Sequence, residues 1–324
     1  MRDIPRAVWT AALGFAALMT AFWIVGTYFG IVEKLGGHVP SAMFSFALLL
    51  GPYWGFGFGL GEWLDRRLKS QVARVAAPAL LAVSYVVFAV PRGEFRWGML
   101  LGLAATVLAV QVALAHASRH SQADWHDWLV LLLLALAVEL HPFDRAWAAP
   151  GLSAMPKLLL LDAALYGYLV IRRLEGIGFD FRARWADFRI GLREFLFYTP
   201  IALALGLLMG FLHPHRILSN PLWFGSGWIF TLFFTAVPEE LFFRGLLLNM
   251  LERRVGTRRA LVLTAVLFGL AHFNKRTAFF NWRYVILAAI AGIFYGRAWL
   301  AQRRILASSI THATVDTVWS IWLR

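Results

Sequence analysis

The sequence contains no cysteine and few charged side chains. The absence of cysteine among its 324 residues excludes disulfide bonds, thiolate nucleophiles and cysteine-ligated metals. Charged residues make up 15% of the chain and hydrophobic residues 60%, which exceeds the apolar content of a soluble domain. Any catalysis must therefore use side chains other than cysteine, in a protein built for an apolar surrounding.

Two common catalytic signatures are absent as well. The chain has no HExxH motif, which would place a zinc site on one helix, and no GxSxG motif, which would place a serine nucleophile on a sharp turn. The net charge of +13 does not indicate nucleic acid binding, because the positive charges are spread over many short loops and form no basic tract. The partner that this composition indicates is the lipid bilayer.

What is present is a series of long apolar runs separated by polar breaks. They lie near 8–30, 41–61, 75–91, 98–115, 128–140, 157–171, 196–213, 222–251, 260–273, 284–300 and 305–323. Most are long enough, or nearly so, to cross a bilayer as a helix. The sequence predicts an all-α polytopic membrane protein, a bundle of about 9–11 transmembrane helices with a C-terminal catalytic helical core.

The arginine-rich loops indicate the topology. The densest basic segments are 66–74, 172–193 and 253–259, which follow the second, sixth and eighth apolar runs. Because cytoplasmic loops carry an excess of Lys and Arg, this pattern places the N-terminus inside. We expect a multi-pass protein of a bacterial cytoplasmic membrane.

The chain is expected to have three parts. Residues 1–175 hold N-terminal accessory transmembrane helices, and residues 176–195 mix aromatic residues with Arg, which is typical of a cytoplasmic amphipathic interfacial segment. Residues 196–324 form the core expected to carry catalysis.

Acidic and histidine side chains concentrate inside the last apolar runs. Glu239, Glu240, His272, His312 and Asp316 all lie within them, although an ionised side chain at such depth costs a few kcal/mol. Helical rise places Glu239 and His272 about 18 Å from the cytoplasmic ends of their helices, and Asp316 about 16 Å. Groups from three separate helices are thus expected to share one layer.

Helical spacing suggests how these groups divide. Residues four apart share a face, so Glu240 is expected to pair with Arg244, Phe268 to lie beneath His272, and His312 to contact Asp316. Glu239 is rotated by about 100° from Glu240 and is left free to act as a general base. Glu239 and His272 side by side could activate a water molecule for peptide-bond hydrolysis.

These residues resemble the three ordered motifs of a known family. EELFFR at 239–244, FGLAH at 268–272 and HATVD at 312–316 are similar to those of the CPBP family of CAAX-protease and bacteriocin-processing proteins, also called the ABI family. The resemblance covers roughly residues 190 to 324. It implies a glutamate-type intramembrane protease whose substrate is membrane-associated or hydrophobic, such as a C-terminally lipidated protein or a sorting signal.

The resemblance also implies roles for the matched positions. Glu239 and His272 would activate the nucleophilic water, Glu240 with Arg244 would brace their helix, and His312 with residue 316 would form the oxyanion hole. The family's last motif most often ends in Asn, whereas this chain has Asp316. Because an ionised Asp would repel an oxyanion, we expect Asp316 to orient His312.

Three alternatives stay open on the sequence alone. A proton-coupled transporter also buries acids and histidines, and a catalytically silent immunity or binding protein could use the same scaffold. No cofactor is expected. Zinc is possible but not favoured, since Glu239, His272, His312 and Asp316 could together ligate it.

Overall fold

The structure is a computed structural model that describes residues 4–120, 122–214, 221–275, 277 and 279–323. It divides into two compact units, Met1–Glu175 and Gly176–Arg324. All regular structure in the described residues is helical. The roles expected for segments 1–175, 176–195 and 196–324 stay predictions.

Six helices among the described residues are long and apolar enough to cross a membrane. They are Val8–Tyr28, Ile31–Phe56, Gln71–Ala89, Trp97–Ala117, Trp185–Leu208 and Trp282–Gln302. The all-helical content and these spans confirm a polytopic all-α membrane protein. The larger number of about 9–11 spans stays a prediction, because several of the other apolar runs form short or interrupted helices.

The first unit contains nine α-helices within its described residues. They are α1 (Ile4–Tyr28), α2 (Ile31–Leu35), α3 (Val39–Phe56), α4 (Leu60–Arg67), α5 (Gln71–Ala76), α6 (Val83–Ala89), α7 (Trp97–Ala117), α8 (Trp125–Leu140) and α9 (Met155–Tyr166). Its core includes Leu49 and Tyr53 of α3 and Val107 of α7, all fully buried. A buried ion pair between Asp127 and Arg172, 3.0 Å long, adds a polar contact to this apolar interior.

The second unit contains seven α-helices within its described residues. They are α10 (Trp185–Leu208), α11 (Pro221–Thr231), α12 (Val237–Glu240), α13 (Asn249–Val255), α14 (Thr257–Leu270), α15 (Trp282–Gln302) and α16 (Ile305–Trp322). Helix α10 begins at Trp185 and continues to Leu208 without a break. Residues 185–195, which the sequence assigns to a separate interfacial segment, are therefore the first turns of a candidate span.

Small residues let α14 and α15 approach closely. A Cβ on Gly269 would lie 2.7 Å from the Cβ of Ala289, and one on Gly292 would lie 3.0 Å from the Cα of Ala265. This small-residue contact is the usual way for membrane helices to pack backbone against backbone. It fixes the positions of Phe268 and Tyr295 along the axes of α14 and α15. Phe268 lies one residue before Gly269, and Tyr295 lies three residues after Gly292.

Arg304 anchors the start of α16 to the segment that precedes α10 and to the first turn of α10. Its guanidinium lies 2.8 Å from carboxylate oxygens of both Asp180 and Asp187. The amide of Ile305 donates to the carbonyl of Gly178 at 2.9 Å. Gly178 has φ +74°, and a Cβ there would clash with the backbone of Arg303, so this close approach requires glycine.

Candidate active site

The two adjacent glutamates lie in a helix whose winding changes on both sides of them. The chain is π-helical over Leu232–Ala236, α-helical over Val237–Glu240 and π-helical again over Leu241–Leu248. Pro238 has no amide hydrogen to donate to the carbonyl one turn earlier. Segments of π-helix are rare and occur often at functional sites. They alter the simple α-helical register on which the sequence-based spacing depends.

Glu240 is the centre of a buried three-residue contact. Its Oε1 accepts a hydrogen bond from Nη1 of Arg244 at 2.9 Å and another from Nδ1 of His312, also at 2.9 Å. All three side chains are at most 2% exposed. The pairing of Glu240 with Arg244 agrees with the helical spacing, and the contact with His312 comes from a second helix. Glu240 therefore braces both its own helix and α16.

Arg244 is surrounded by groups suited to a guanidinium, and among the described residues only its Nε lacks a hydrogen-bond partner. Its Nη2 donates to the carbonyl of Gly292 at 3.0 Å. Its Cζ lies 4.6 Å from the ring centroid of Phe268 and 5.3 Å from that of Tyr295, within the range of a cation–π contact. The buried charge is thus compensated by one carboxylate, one carbonyl and two aromatic faces.

His312 presents its second nitrogen to two other carboxylates. Since a carboxylate can only accept, Nδ1 of His312 carries the hydrogen donated to Glu240, and Nε2 is the nitrogen left for other partners. Nε2 lies 3.4 Å from Oδ2 of Asp316 and 3.8 Å from Oε2 of Glu239. The Glu239 and Asp316 side chains are 36% and 32% exposed, whereas His312 is 2% exposed. A buried imidazole thus faces two partly exposed carboxylates, and the Glu239 oxygen nearest to it is itself buried.

His272 lies just beyond the end of α14. Helix α14 ends at Leu270, and the amide of His272 donates to the carbonyl of Gly269 at 3.0 Å. Its Nδ1 lies 2.8 Å from the carbonyl oxygen of Phe268. A carbonyl oxygen is only an acceptor, so Nδ1 is the protonated nitrogen, and Nε2 of a neutral ring keeps its lone pair. The contact also satisfies one of the free carbonyls at the helix end.

His272, His312 and Asp316 line one small cavity. Its volume is about 80 Å³, which is enough for a few water molecules or a small side chain. Most of the lining is aromatic or aliphatic: Phe195, Tyr198, Leu203, Phe211, Phe268, Tyr284, Leu287, Tyr295, Val315 and Trp319. The ring centroid of Tyr284 lies 4.9 Å from that of His272. Both histidines therefore open onto an apolar space that can exclude bulk water.

The structure brings most of the predicted site residues together, with one pair apart. Glu239, Glu240 and Asp316 all surround His312, and Phe268 packs on His272 with ring centroids 4.8 Å apart. Among the described residues no ion-pair contact within 4.0 Å joins His272 to Glu239. The roles assigned to these residues, water activation by Glu239 and His272 above all, stay predictions.

The candidate zinc ligands do not form a zinc site. Within the part of the chain that the structure describes, no group of three or more His, Asp or Glu side chains is arranged to hold a metal ion. Nδ1 of His272 donates to a backbone carbonyl, which leaves Nε2 as its metal-binding nitrogen. The zinc alternative that the sequence left open therefore stays a prediction, which metal analysis of the purified protein tests.

Sequence reasoning missed two contacts of this site. The bond from His312 to Glu240 joins two helices, and the ring of Tyr295 stacks on His312 with centroids 4.6 Å apart and planes 15° apart. Tyr295 stands in an apolar run that contains several aromatic residues, and no spacing rule singles it out. The contact of Tyr295 with His312 depends on how α15 and α16 are rotated about their axes, which the sequence does not give.

Comparison with known proteins finds one family to which these helices are similar. Residues 218–318 match the family model described as "Type II CAAX prenyl endopeptidase Rce1-like". This range contains every residue of the three motifs. No curated protein and no solved structure matches the chain. The family match agrees with the resemblance noted in the sequence: residues 218–318 of this multi-pass membrane protein are similar to the Rce1-like CAAX prenyl endopeptidase family.

Proposed function

We propose that this protein is a glutamate-type intramembrane endopeptidase. It hydrolyses a peptide bond of a membrane-associated or hydrophobic substrate, with Glu239 as the general base. One observation carries the proposal: two partly exposed carboxylates, Glu239 and Asp316, face Nε2 of a buried His312 whose other nitrogen is fixed by Glu240. This arrangement puts a base and a hydrogen-bond donor within 3.8 Å of each other.

The proposed reaction begins with addition of water to the scissile carbonyl. Glu239 removes a proton from the water, and the water oxygen forms a bond to the carbonyl carbon while the carbonyl oxygen becomes an oxyanion. His272 holds the same water through Nε2, which is free because Nδ1 donates to Phe268. Collapse of the tetrahedral intermediate breaks the C–N bond, and the proton held by Glu239 passes to the leaving amine.

His312 supports this step by donating a hydrogen bond to the oxyanion. Because Nδ1–H is already donated to Glu240, the ring must be doubly protonated for Nε2 also to donate. Asp316 lies one helical turn from His312 and 3.4 Å from Nε2, where it orients the ring. A hydrogen-bond donor of this kind contributes about 3–4 kcal/mol to transition-state stabilisation in other hydrolases.

Comparative peptidomics tests the proposal. Membranes containing wild-type protein are compared with membranes containing Glu239→Gln at equal abundance, and the released peptides are identified. We expect a defined set of peptides to depend on Glu239. Repeating the assay with purified protein in liposomes, using matched peptides with and without a C-terminal prenyl group, tests whether the substrate is lipidated. The metal-free reaction proposed here predicts that a chelator leaves cleavage unchanged.

Two results would contradict the proposal. Solute flux into liposomes that depends on Glu239, without any peptide cleavage, would indicate a proton-coupled transporter. A cellular phenotype that survives Glu239→Gln, again without cleavage, would indicate a catalytically silent immunity or binding protein.

A further inference from the structure

The imidazole of His312 is held between two aromatic rings. Tyr295 lies parallel to it, with ring centroids 4.6 Å apart and planes 15° apart. Phe268 meets it edge to face, with centroids 5.6 Å apart and planes 89° apart. Both aromatic residues are 2% exposed. The ring therefore has two close aromatic neighbours in addition to its carboxylate contacts.

The position of Tyr295 along the helix axis is fixed by contacts of α15. The carbonyl of Gly292, one turn earlier, accepts a hydrogen bond from Nη2 of Arg244 at 3.0 Å. A Cβ on Gly296 would lie 2.3 Å from a methyl carbon of Leu261, so α15 has no room to move towards α14 at this level. The guanidinium that braces Glu240 also lies 5.3 Å from the Tyr295 ring. One buried cation thus links the glutamate and the tyrosine that both contact His312.

A hydrogen bond alone does not fix the plane of a histidine ring. The terminal torsion of His, between Cβ and the ring, has a broad energy minimum. The bond from Nδ1 to Glu240 therefore sets the position of one atom and leaves the ring free to rock about it. Parallel stacking on a rigid aromatic neighbour removes this freedom, because aromatic contacts of good geometry contribute about 0.5–1.5 kcal/mol.

We propose that Tyr295 is a positioning residue for the reaction, and that its ring rather than its hydroxyl performs this role. The stacked ring holds the imidazole plane so that Nε2 of His312 stays directed at the space between Glu239 and Asp316. The hydroxyl makes no hydrogen bond among the described residues. This inference rests on the proposed protease function, since it assigns Tyr295 a place in that function's oxyanion hole.

The test uses purified full-length protein in liposomes and a peptide whose release depends on Glu239. Tyr295→Phe keeps the stacked ring and removes the hydroxyl, so kcat is expected to stay within about threefold of wild type. Tyr295→Leu removes the ring, and kcat is expected to fall about 10- to 100-fold with little change in KM, because a reacting group is displaced while ground-state binding is kept.

Phe294→Leu is the matched control. Phe294 precedes Tyr295 on the same helix and belongs to the same buried cluster, and its ring contact is with Tyr198 at 5.7 Å. Its truncation therefore removes a similar volume without touching His312. We expect kcat close to wild type in this variant.

Three outcomes would overturn the inference while leaving the protease function intact. They are a Tyr295→Leu variant with normal kcat, a Tyr295→Phe variant as impaired as Tyr295→Leu, and a Phe294→Leu variant with the same loss. If Tyr295→Leu does not fold, Tyr295→Met replaces it, because Met fills the volume without a flat face. If the wild type itself cleaves no peptide in a manner that depends on Glu239, the proposed function fails first.

Discussion

Oε1 of Glu240 accepts hydrogen bonds from both Nη1 of Arg244 and Nδ1 of His312, each at 2.9 Å. One buried oxygen therefore ties the helix of the adjacent glutamates to the last helix of the chain. The neighbouring Glu239 is 36% exposed and only approaches His312, at 3.8 Å. The two glutamates differ in their surroundings, and substitutions at each should have different consequences.

Glu239→Gln is expected to abolish catalysis and leave the fold intact. The amide cannot act as a base, so kcat should fall about 100- to 10,000-fold. Because Glu239 is partly exposed and makes only one long contact, the free energy of unfolding should change by less than about 1 kcal/mol. Peptide cleavage in liposomes and denaturant unfolding in detergent measure the two quantities. Normal cleavage by the folded variant would rule out Glu239 as the base.

Arg244→Met is expected to destabilise the protein strongly. It removes the cation from a fully buried pair and leaves Glu240 with His312 as its remaining buried partner; breaking a buried pair in this way costs about 3–5 kcal/mol. Equilibrium unfolding in detergent measures the loss. The double variant Arg244→Met, Glu240→Gln should regain part of the lost free energy of unfolding, because the buried carboxylate charge is then absent.

Arg303→Met is the control for this prediction. Arg303 makes a two-point contact with Glu252, but its side chain is 45% exposed, and such pairs contribute about 0–1 kcal/mol. Equal losses in the Arg244→Met and Arg303→Met variants would show that burial of the Glu240 pair does not determine its energy.

Asp316→Asn is expected to keep most of the activity, and Asp316→Ala is expected to lose it. An Asn side chain offers an oxygen to Nε2 of His312, which now lies 3.4 Å from the carboxylate, and adds an amide donor for the oxyanion. We expect kcat of Asp316→Asn within about tenfold of wild type and that of Asp316→Ala about 100-fold lower. If the Asn variant is as inactive as the Ala variant, the charge of Asp316 is needed for more than orientation.

The contacts within single helices could be predicted from the sequence, and those between helices could not. Spacing of four residues correctly suggested that Glu240 meets Arg244, that Phe268 packs on His272 and that His312 lies near Asp316. The bond from His312 to Glu240 depends on how two helices are rotated about their axes. The π-helical segments on both sides of Val237–Glu240 shift that rotation from the value that 3.6 residues per turn implies.

The position of His272 shows a second limit of sequence reasoning. The apolar run to residue 273 suggested a helix of that length, but α14 ends at Leu270. The side chain of His272 caps the carbonyl of Phe268 instead of continuing the helix. Apolar composition indicates which residues can lie in a membrane, while the helix end depends on which groups satisfy the last carbonyls.

Asp180, which contacts Arg304, gives the second unit a pH-dependent contribution to stability. Burial raises the pKa of Asp180, but hydrogen bonds from Arg182 and Arg304 outweigh that effect and leave the pKa below its ordinary value of 3.8. A carboxyl group whose pKa is lower in the folded state stabilises the fold above the unfolded-state pKa. That stability is lost as the pH falls from about 3.9 through the folded-state value.

Asp180→Asn should therefore destabilise the protein at neutral pH and much less in acid. The variant keeps the size of the side chain but loses the charge that faces Arg304 at 2.8 Å. Thermal unfolding in detergent at pH 7 and near pH 3 measures the difference between variant and wild type at each pH. We expect the difference to shrink as the pH falls below about 3.9, because the carboxyl of the unfolded wild type is then protonated, and to vanish below the lower folded-state pKa. A difference that is the same at both pH values would mean that the lost charge is not its cause.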